Sequence, residues 1–491
     1  MSTAMNLREL LPQTVLPADL AQRPVGDLHL DSRALQPGDV FVALAGRSTH
    51  GLSHLSMARQ NGAIACLYEP PLPASIEDAA DLLPIADLRA DLGRIARRRY
   101  ADVSRRLRLI GVTGTNGKTS TVQLLAQALD FDSAAHCGHI GTLGVGMGEW
   151  HREGERTTPD VLSVHRLLDE LAQRGADHVA MEVSSHALDQ GRVDGLQFAV
   201  AVFTNLTRDH LDYHGSMDAY GDAKARLFLE GRSLAAVINV DDPFGANLAR
   251  RVASQLPLLR LSSSDSRADL FADRIDLNVE GLSFQLHCDG ERHAVSSGLL
   301  GRFNVDNLLA VAGALRALGM SAENIARRLS ALRPVPGRME RVSTTQPLVV
   351  VDYAHTPDAL EQTLRSLRAH TEGQLICVFG CGGDRDRGKR PLMAAVAEQL
   401  ADRLWVTDDN PRSESGDHIV AEIMHGFRLP QRVSVQRRRE LAIAEAIGAA
   451  AANDTVLIAG KGHETYQDEQ GQRRPFDDRV VARRALAERA A

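Results

Sequence analysis

The chain has 491 residues, enough for about three domains at ~150 residues each. Hydrophobic residues make up 44% and charged residues 24%, the composition of an ordinary globular protein. With 56 basic against 63 acidic side chains the net charge is -7, which removes any global reason to expect nucleic-acid binding, and aromatics at 4% leave no stacking platform for single strands. The five cysteines (Cys66, Cys137, Cys288, Cys377 and Cys381) are scattered and odd in number, so no disulfide framework is implied and a reducing compartment fits. Cys377 and Cys381 read as ordinary core and turn residues. No basic-then-apolar leader and no run of 18 apolar residues is seen, so the expectation is a cytoplasmic protein with no membrane partner.

Residues 1–106 form the first expected domain. Leu28–Ser32 and Val40–Gly46 read as strand, Pro-Gly turn, strand, followed by a helix over 51–61 and a strand over 63–68. The basic stretch Arg94–Arg106 reads as a solvated helix face and linker. Residues 107–336 form the second. An apolar strand ending at Val112 runs into Gly114-Thr115-Asn116-Gly117-Lys118-Thr119-Ser120 and then a helical pattern. Strand, glycine loop, Lys-Thr, helix is how backbone N–H groups are aimed at phosphate oxygens. Lys118 would reach the β/γ-phosphates and the Thr119 hydroxyl would bind Mg²⁺. The general phosphate-loop pattern has four residues between its glycine and Gly-Lys; here Gly114 and Gly117 bracket two. The competing reading is a strand–helix turn that happens to be Gly-rich.

The strand His178–Glu182 ends in a carboxylate that can hold the same Mg²⁺, and Ser184-Ser185-His186 follow it at the sheet edge where ligands bind. The apolar run Phe198–Asn205 leads into Thr207-Arg208-Asp209-His210-Leu211-Asp212-Tyr213-His214, with His210 a candidate metal ligand. From local pattern alone, Lys224 sits on an unremarkable helix and is exposed. Residues 275–287 alternate and suggest an antiparallel hairpin, 304–318 a helix, and Pro334-Val335-Pro336-Gly337 a boundary. Residues 337–491 carry short β-rich runs at 348–351, 375–379, 404–406, 433–435 and 455–458, most of them separated by helical patterns. They read as a second doubly wound α/β domain.

Gly114-Thr115-Asn116-Gly117-Lys118-Thr119 is similar to the ATP loop of the Mur ligases, which build the peptide of bacterial peptidoglycan. Thr157-Thr158-Pro159-Asp160, Gly301-Arg302-Phe303-Asn304, Pro336-Gly337-Arg338-Met339-Glu340, Asp352-Tyr353-Ala354-His355 and Gly460-Lys461-Gly462-His463-Glu464 resemble the same family across the whole chain. The resemblance implies a three-domain α/β protein: an N-terminal uridine-nucleotide-binding domain, a central P-loop ATPase domain with a mostly parallel sheet, and a C-terminal Rossmann-like domain. It implies an amide ligase that uses ATP and Mg²⁺ to add the third amino acid to UDP-N-acetylmuramoyl-L-Ala-D-Glu. That step serves cell-wall synthesis, and through it cell shape and division. A monomer is expected.

The residue roles it implies are as follows. Leu30, Ser32, Arg47, Ser48 and Thr49 would hold the uridine nucleotide. Thr157, Thr158, Ser184, Gln190 and Arg192 would hold the muramoyl dipeptide; the family often has Asn before the Thr-Thr pair, and Arg156 stands there. Asn307, Arg338 and Asp352 would contact ATP, with Asn307 at the adenine. Lys224 would be carbamoylated and form a second metal site with His210. Asp409-Asn410-Pro411-Arg412 resembles the stretch found in members that use meso-2,6-diaminopimelate, with Arg412 on the distal carboxylate and Arg390, Gly460 and Glu464 on the same amino acid. Nucleotide, dipeptide and amino acid would come from three domains that must meet. Alternatives are another amide ligase of the superfamily, such as folylpolyglutamate synthetase, or a non-catalytic nucleotide-binding scaffold. The first is disfavoured by the uridine-type first domain, the second by Lys224, His210 and Arg412 together.

Overall fold

The structure is a computed structural model that describes residues 5–46, 49–132, 136–154, 156–343 and 346–490. It is an α/β protein of two compact units, 1–259 and 260–491.

The first unit holds two sheets. One is four-stranded and wholly parallel, in the order Leu28–His29, Val40–Ala43, Ala65–Tyr68, Leu82–Pro84. The expected strand over 28–32 is cut to two residues. Asp31 accepts the Arg33 N–H and starts a 3-10 turn over Ser32–Ala34, and the chain then crosses over to pair Val40–Ala43 in parallel. The expected helix over 51–61 splits into a 3-10 turn, Gly51–His54, and a helix, Leu55–Gln60.

The second sheet of this unit is built around Arg108–Thr113. Val200–Phe203 and His178–Glu182 flank it in parallel, Ala236–Asn239 extends it on one side and Cys137–Gly141 on the other. The uninterrupted apolar runs are buried on both faces, the pattern of parallel strands covered by helices. An antiparallel extension, Gly144–Met147 and Trp150–Arg152, completes that side. All five central strands end on one edge, and the phosphate-loop glycines, Glu182 and the 205–215 loop follow three of them there. Among the described residues no helix is long and apolar enough to cross a membrane.

The second unit contains an antiparallel meander, Leu270–Asn278, Gly281–Cys288 and Glu291–Ser297, as the alternation suggested. The long helix Phe303–Ala317 follows it. The remaining sheet runs Glu340–Arg341, Leu348–Asp352, Thr455–Ala459, Leu375–Phe379, Arg403–Val406, Val433–Val435, parallel apart from its first pair. Its loops after Asp352, Phe379, Val406 and Ala459 leave from one edge. A short hairpin, Tyr466–Glu469 and Gln472–Pro475, closes over them, with Arg412 bridged to Glu469.

Candidate functional site

In the first unit the phosphate loop is folded as a cradle. Gly117 has φ +83°, a conformation glycine takes without strain, and caps the helix Lys118–Asp130, whose first turn carries Thr119 and Ser120. A Cβ at Gly114 would collide with the Thr204 hydroxyl, so only glycine lets the two strand ends approach. The loop is pinned from the neighbouring strand. Thr115 N–H donates to the Asn205 carbonyl (2.9 Å), Asn116 N–H to Asn205 Oδ1 (2.9 Å), and the Thr204 hydroxyl to the Asn116 carbonyl (2.6 Å).

Two lysines converge on this loop. Lys118 Nζ donates to the carbonyls of Gly114 and Thr115, each at 2.8 Å. Lys224 Nζ donates to the same Gly114 carbonyl at 2.8 Å and lies 4.4 Å from the centre of the Tyr220 ring. Lys224 is 1% exposed, which overturns its expected place on an open helix face. The helix Met217–Leu229 packs that face inward, with Tyr220, Ala223, Lys224 and Leu227 all buried. Burial and then the neighbouring Lys118 charge push the Lys224 ammonium well below the usual lysine range. Tyr220 had no sequence signal beyond standing one helical turn before Lys224; its hydroxyl meets Thr115 Oγ1 at 3.1 Å.

Beside the loop, Glu182 is 1% exposed and satisfied by a residue the sequence reading missed. Thr142 donates its N–H to Glu182 Oε1 (2.7 Å) and its hydroxyl to Oε2 (3.3 Å). The Thr142 hydroxyl also meets that of Thr157 at 3.1 Å. Thr158 donates to the Glu182 carbonyl (2.8 Å), and Ser184 N–H donates to Thr158 Oγ1 (3.2 Å). Arg192 donates to the Thr158 carbonyl (2.8 Å) and to Gln190 Oε1 (3.0 Å from Nε), and Gln190 in turn donates to the Tyr213 hydroxyl (3.1 Å). Burial, then the Arg156 charge, lower the Arg192 guanidinium. Thr157, Thr158, Ser184, Gln190 and Arg192 therefore form one polar wall that starts at Glu182.

His210 takes φ +52° and heads the turn Leu211–His214, which brings it to an aromatic cluster with His186 (ring centres 4.9 Å apart) and Tyr220 (6.0 Å). Its Nε2 lies 3.4 Å from Asp209 Oδ2. Among the described residues no three His, Cys, Asp or Glu side chains gather as a metal cage. The donors present nevertheless suit Mg²⁺. It takes one or two carboxylate or hydroxyl oxygens from protein and fills the rest with phosphate and water, and Thr119 and Glu182 flank the phosphate loop.

A cleft of about 890 Å³ in the same unit is lined by Leu30, Ser32, Arg156, Asp160 and Arg166 among others. Ser32 is held by its carbonyl, which accepts from Asn61 Nδ2 at 2.9 Å. Arg166 donates to Asp27 and His29, both at 3.2 Å. Thr49 accepts the Gly46 N–H at 3.0 Å in an exposed loop; Arg47 and Ser48 lie outside the described residues.

In the second unit, Asn307 is buried on its helix and donates to Asn304 Oδ1 (2.8 Å). Asp352 accepts from Met339 N–H (2.7 Å), Ala354 N–H (2.9 Å) and the Thr363 hydroxyl (3.2 Å). Burial raises its carboxyl, opposed mainly by Arg338, whose guanidinium stacks 4.7 Å from the Tyr353 ring. Pro411 and Arg412 stand against the loop after Phe379. Arg412 takes φ +53° and donates NH1 to the Gly383 carbonyl at 2.6 Å, while its Nε and NH2 have no hydrogen-bond partner among the described residues. Asp409 is 8% exposed beside Gly460, which has φ +118°. Asn410 and Glu464 are joined by a 2.8 Å hydrogen bond.

Arg390 differs from the others: it is fully buried, and both of its terminal nitrogens are engaged while its Nε has no hydrogen-bond partner among the described residues. Its NH1 donates to Glu414 (3.0 Å) and Glu422 (2.6 Å), and its NH2 to Glu414 (2.9 Å) and the Gly382 carbonyl (3.2 Å). As placed, it holds the loop on which Arg412 rests.

The family model described as "Mur ligase middle domain" matches residues 112–315 and "Mur ligase, glutamate ligase domain" matches 337–462. The chain is 55% identical over 495 aligned residues to UDP-N-acetylmuramoyl-L-alanyl-D-glutamate--2,6-diaminopimelate ligase of Xanthomonas oryzae pv. oryzae, covering 100% of this chain and 99% of that one. It is 50% identical to the protein of that name from Pseudomonas aeruginosa, with 98% of each covered. A solved structure of a ligase of the same name superposes with TM-score 0.75 at 38% identity over the full length of both chains. Mycobacterium tuberculosis folylpolyglutamate synthase, at 19% identity, TM-score 0.63 and 82% and 94% coverage, shares the fold. With both domain models matched and relatives this close over its whole length, the chain belongs to the Mur ligase family.

Proposed function

We propose that the protein is the ATP-dependent ligase that joins meso-2,6-diaminopimelate to the D-Glu γ-carboxylate of UDP-N-acetylmuramoyl-L-Ala-D-Glu, in peptidoglycan precursor synthesis. The observation that carries this is full-length 55% identity to a ligase of that name, in a chain that keeps both the phosphate loop and the Arg412 loop in built form.

A carboxylate resists an amine because its leaving group would be oxide. A γ-carboxylate oxygen therefore takes the γ-phosphoryl group of ATP, and ADP leaves. The amine then attacks the acyl carbon, and phosphate departs with that oxygen while the amine sheds a proton. The protein's part is positioning and charge neutralisation. Lys118 would swing from the loop carbonyls to the phosphates. Thr157, Thr158, Ser184, Gln190 and Arg192 would fix the dipeptide next to Glu182. Leu30, Ser32 and the 47–49 loop would take the uridine nucleotide. Asn307, Arg338 and Asp352 are the second unit's nucleotide residues in this reading.

Mg²⁺, when bound by Thr119 and Glu182, would offset the charge of the phosphates. Lys224 would carry a carbamate. Its burial favours the neutral amine, the form that adds CO₂, and the product anion can ligate a second ion with His210. For the amino acid, the open Nε–NH2 edge of Arg412 matches the distal carboxylate of diaminopimelate as a bidentate pair. Lysine would leave that edge unpaired, which selects against it. Asp409, Asn410, Pro411, Gly460 and Glu464 would surround the rest of the molecule, and Arg390 would act through the Gly382 loop.

The test is phosphate release with ATP, Mg²⁺ and UDP-N-acetylmuramoyl-L-Ala-D-Glu, with meso-diaminopimelate or L-lysine in parallel. Release with diaminopimelate alone is expected. Release with lysine instead would overturn the reading of Arg412. Release with neither, from folded protein that binds ATP, would favour a scaffold or a ligase of other specificity.

A further inference from the structure

Lys461 is fully buried and lies between two residues of the amino-acid cluster, Asn410 and Glu464. Gly460 (φ +118°) and Gly462 (φ +52°) make the turn that sends its side chain inward. A Cβ on Gly462 would come 2.7 Å from the Tyr353 Cβ, so the turn is packed as well as bent. The Lys461 ammonium donates to Asn410 Oδ1 (3.0 Å) and Glu464 Oε2 (3.0 Å) and lies 5.5 Å from the centre of the Tyr466 ring. Asn410 Nδ2 donates to the same Glu464 oxygen at 2.8 Å, and Asn410 Oδ1 also accepts the Asp468 N–H at 3.0 Å.

This closed triangle has two consequences. The amide of Asn410 has one permitted orientation, because a flipped amide would put its NH2 against an ammonium and a backbone N–H, all donors. The two oxygens of Glu464 become inequivalent: Oε2 takes both protein donors, and Oε1 has no hydrogen-bond donor among the described residues. A carboxylate accepts through both oxygens, so Oε1 is left to receive a donor from a ligand. The ammonium of an amino acid is the group that fits it.

We infer that Lys461 is a positioning residue for the incoming amino acid, holding Asn410 and Glu464 so that Glu464 Oε1 is reserved for the substrate ammonium. The inference rests on the reading of this cluster as the diaminopimelate site. Lys461 need not touch the substrate, and its loss should act on amino-acid binding more than on nucleotide binding.

The experiment is steady-state kinetics of the full chain for Lys461→Met, Glu464→Gln and the double variant, with KM measured separately for diaminopimelate, ATP and the UDP substrate. Lys461→Met should raise the diaminopimelate KM by about twentyfold or more, leave the other two within about twofold, and combine with Glu464→Gln less than multiplicatively, since both changes undo one contact. An unchanged diaminopimelate KM in Lys461→Met, or effects that multiply independently, would overturn the inference. If Lys461→Met does not fold, Lys461→Gln carries the test: it keeps hydrogen bonding without charge and should show a smaller rise in the same KM alone, whereas a wild-type value would overturn the inference. Glu464→Gln and Arg412→Ala guard the underlying reading. If neither moves the diaminopimelate KM, it is the site assignment that has failed.

Discussion

The phosphate loop of the first unit and the amino-acid cluster of the second handle buried charge in opposite ways. Around Gly114, two lysines rest on carbonyl oxygens and on each other's field, and burial and Lys118 together depress the Lys224 ammonium. In the second unit three buried cations are matched to carboxylates: Arg439 to Asp478 (2.7 Å, both fully buried), Arg390 to Glu414 and Glu422, Lys461 to Glu464. A site for a polyanion gains from cations held by weak neutral acceptors, which the ligand can displace. A site for a small zwitterion gains from a rigid frame in which only one or two hydrogen-bonding edges stay open.

That contrast can be broken most severely at the first site. Lys118→Met should lower the rate of phosphate release about 10³-fold or more, because its cation acts where charge develops; a loss under about tenfold would mean the loop carbonyls are its real partners. Lys224→Met should be similarly inactive, and intact-mass analysis of the native protein should show the mass of one added CO₂. The next largest effect belongs to the frame of the second unit. Asp478→Ala strands Arg439, which also donates to the Ala459 carbonyl at 3.0 Å, and should cost about 3–5 kcal/mol in denaturant or thermal unfolding. A cost under about 1 kcal/mol would show that the paired frame is not what holds this unit.

Arg412→Ala should be milder and more selective: a rise in diaminopimelate KM of about thirtyfold or more, near 2 kcal/mol, with ATP KM unchanged. The smallest effect is on pH dependence. Burial, reinforced by Arg338, pushes His463 down to about 4, and burial with His151 does the same to His139. Each is neutral in the native protein and takes up a proton more readily when unfolded, near 6.5, so stability should fall as pH drops from about 6.5 toward 4. Each partly exposed ring should contribute on the order of 1–2 kcal/mol, and His463→Gln should remove that ring's own share and leave the His139 share in place.

Much of the fold could be read from the chain because the central strands are uninterrupted apolar runs, and the phosphate loop because glycine spacing and Lys-Thr stand at a helix start. The extension 137–152 escaped notice: Gly138, Gly141, Gly144, Gly146 and Gly148 erase the alternation that marks a strand. The direction in which Leu28–His29 and Val40–Ala43 pair could not be read, because Pro-Gly turn chemistry is shared by hairpins and parallel connections. Charge networks are invisible for a different reason. Arg390 finds Glu414 and Glu422 across 24 and 32 residues of chain, and Thr142 reaches Glu182 across 40. Only folding brings such partners together, so a lysine such as Lys224 reads as surface until its helix face is seen to be the packed one.

The cysteines give each unit its own clock. Cys66 and Cys137 lie in the first unit, Cys377 and Cys381 in the second, all buried and unpaired, with burial holding the Cys66, Cys377 and Cys381 thiols at about 12. A thiol so protected reacts with an alkylating reagent only when its surroundings open. Alkylation of the untouched protein, followed residue by residue, therefore times the breathing of the two units separately. Adding nucleotide or amino acid would then report which unit each ligand quiets, without a mutation.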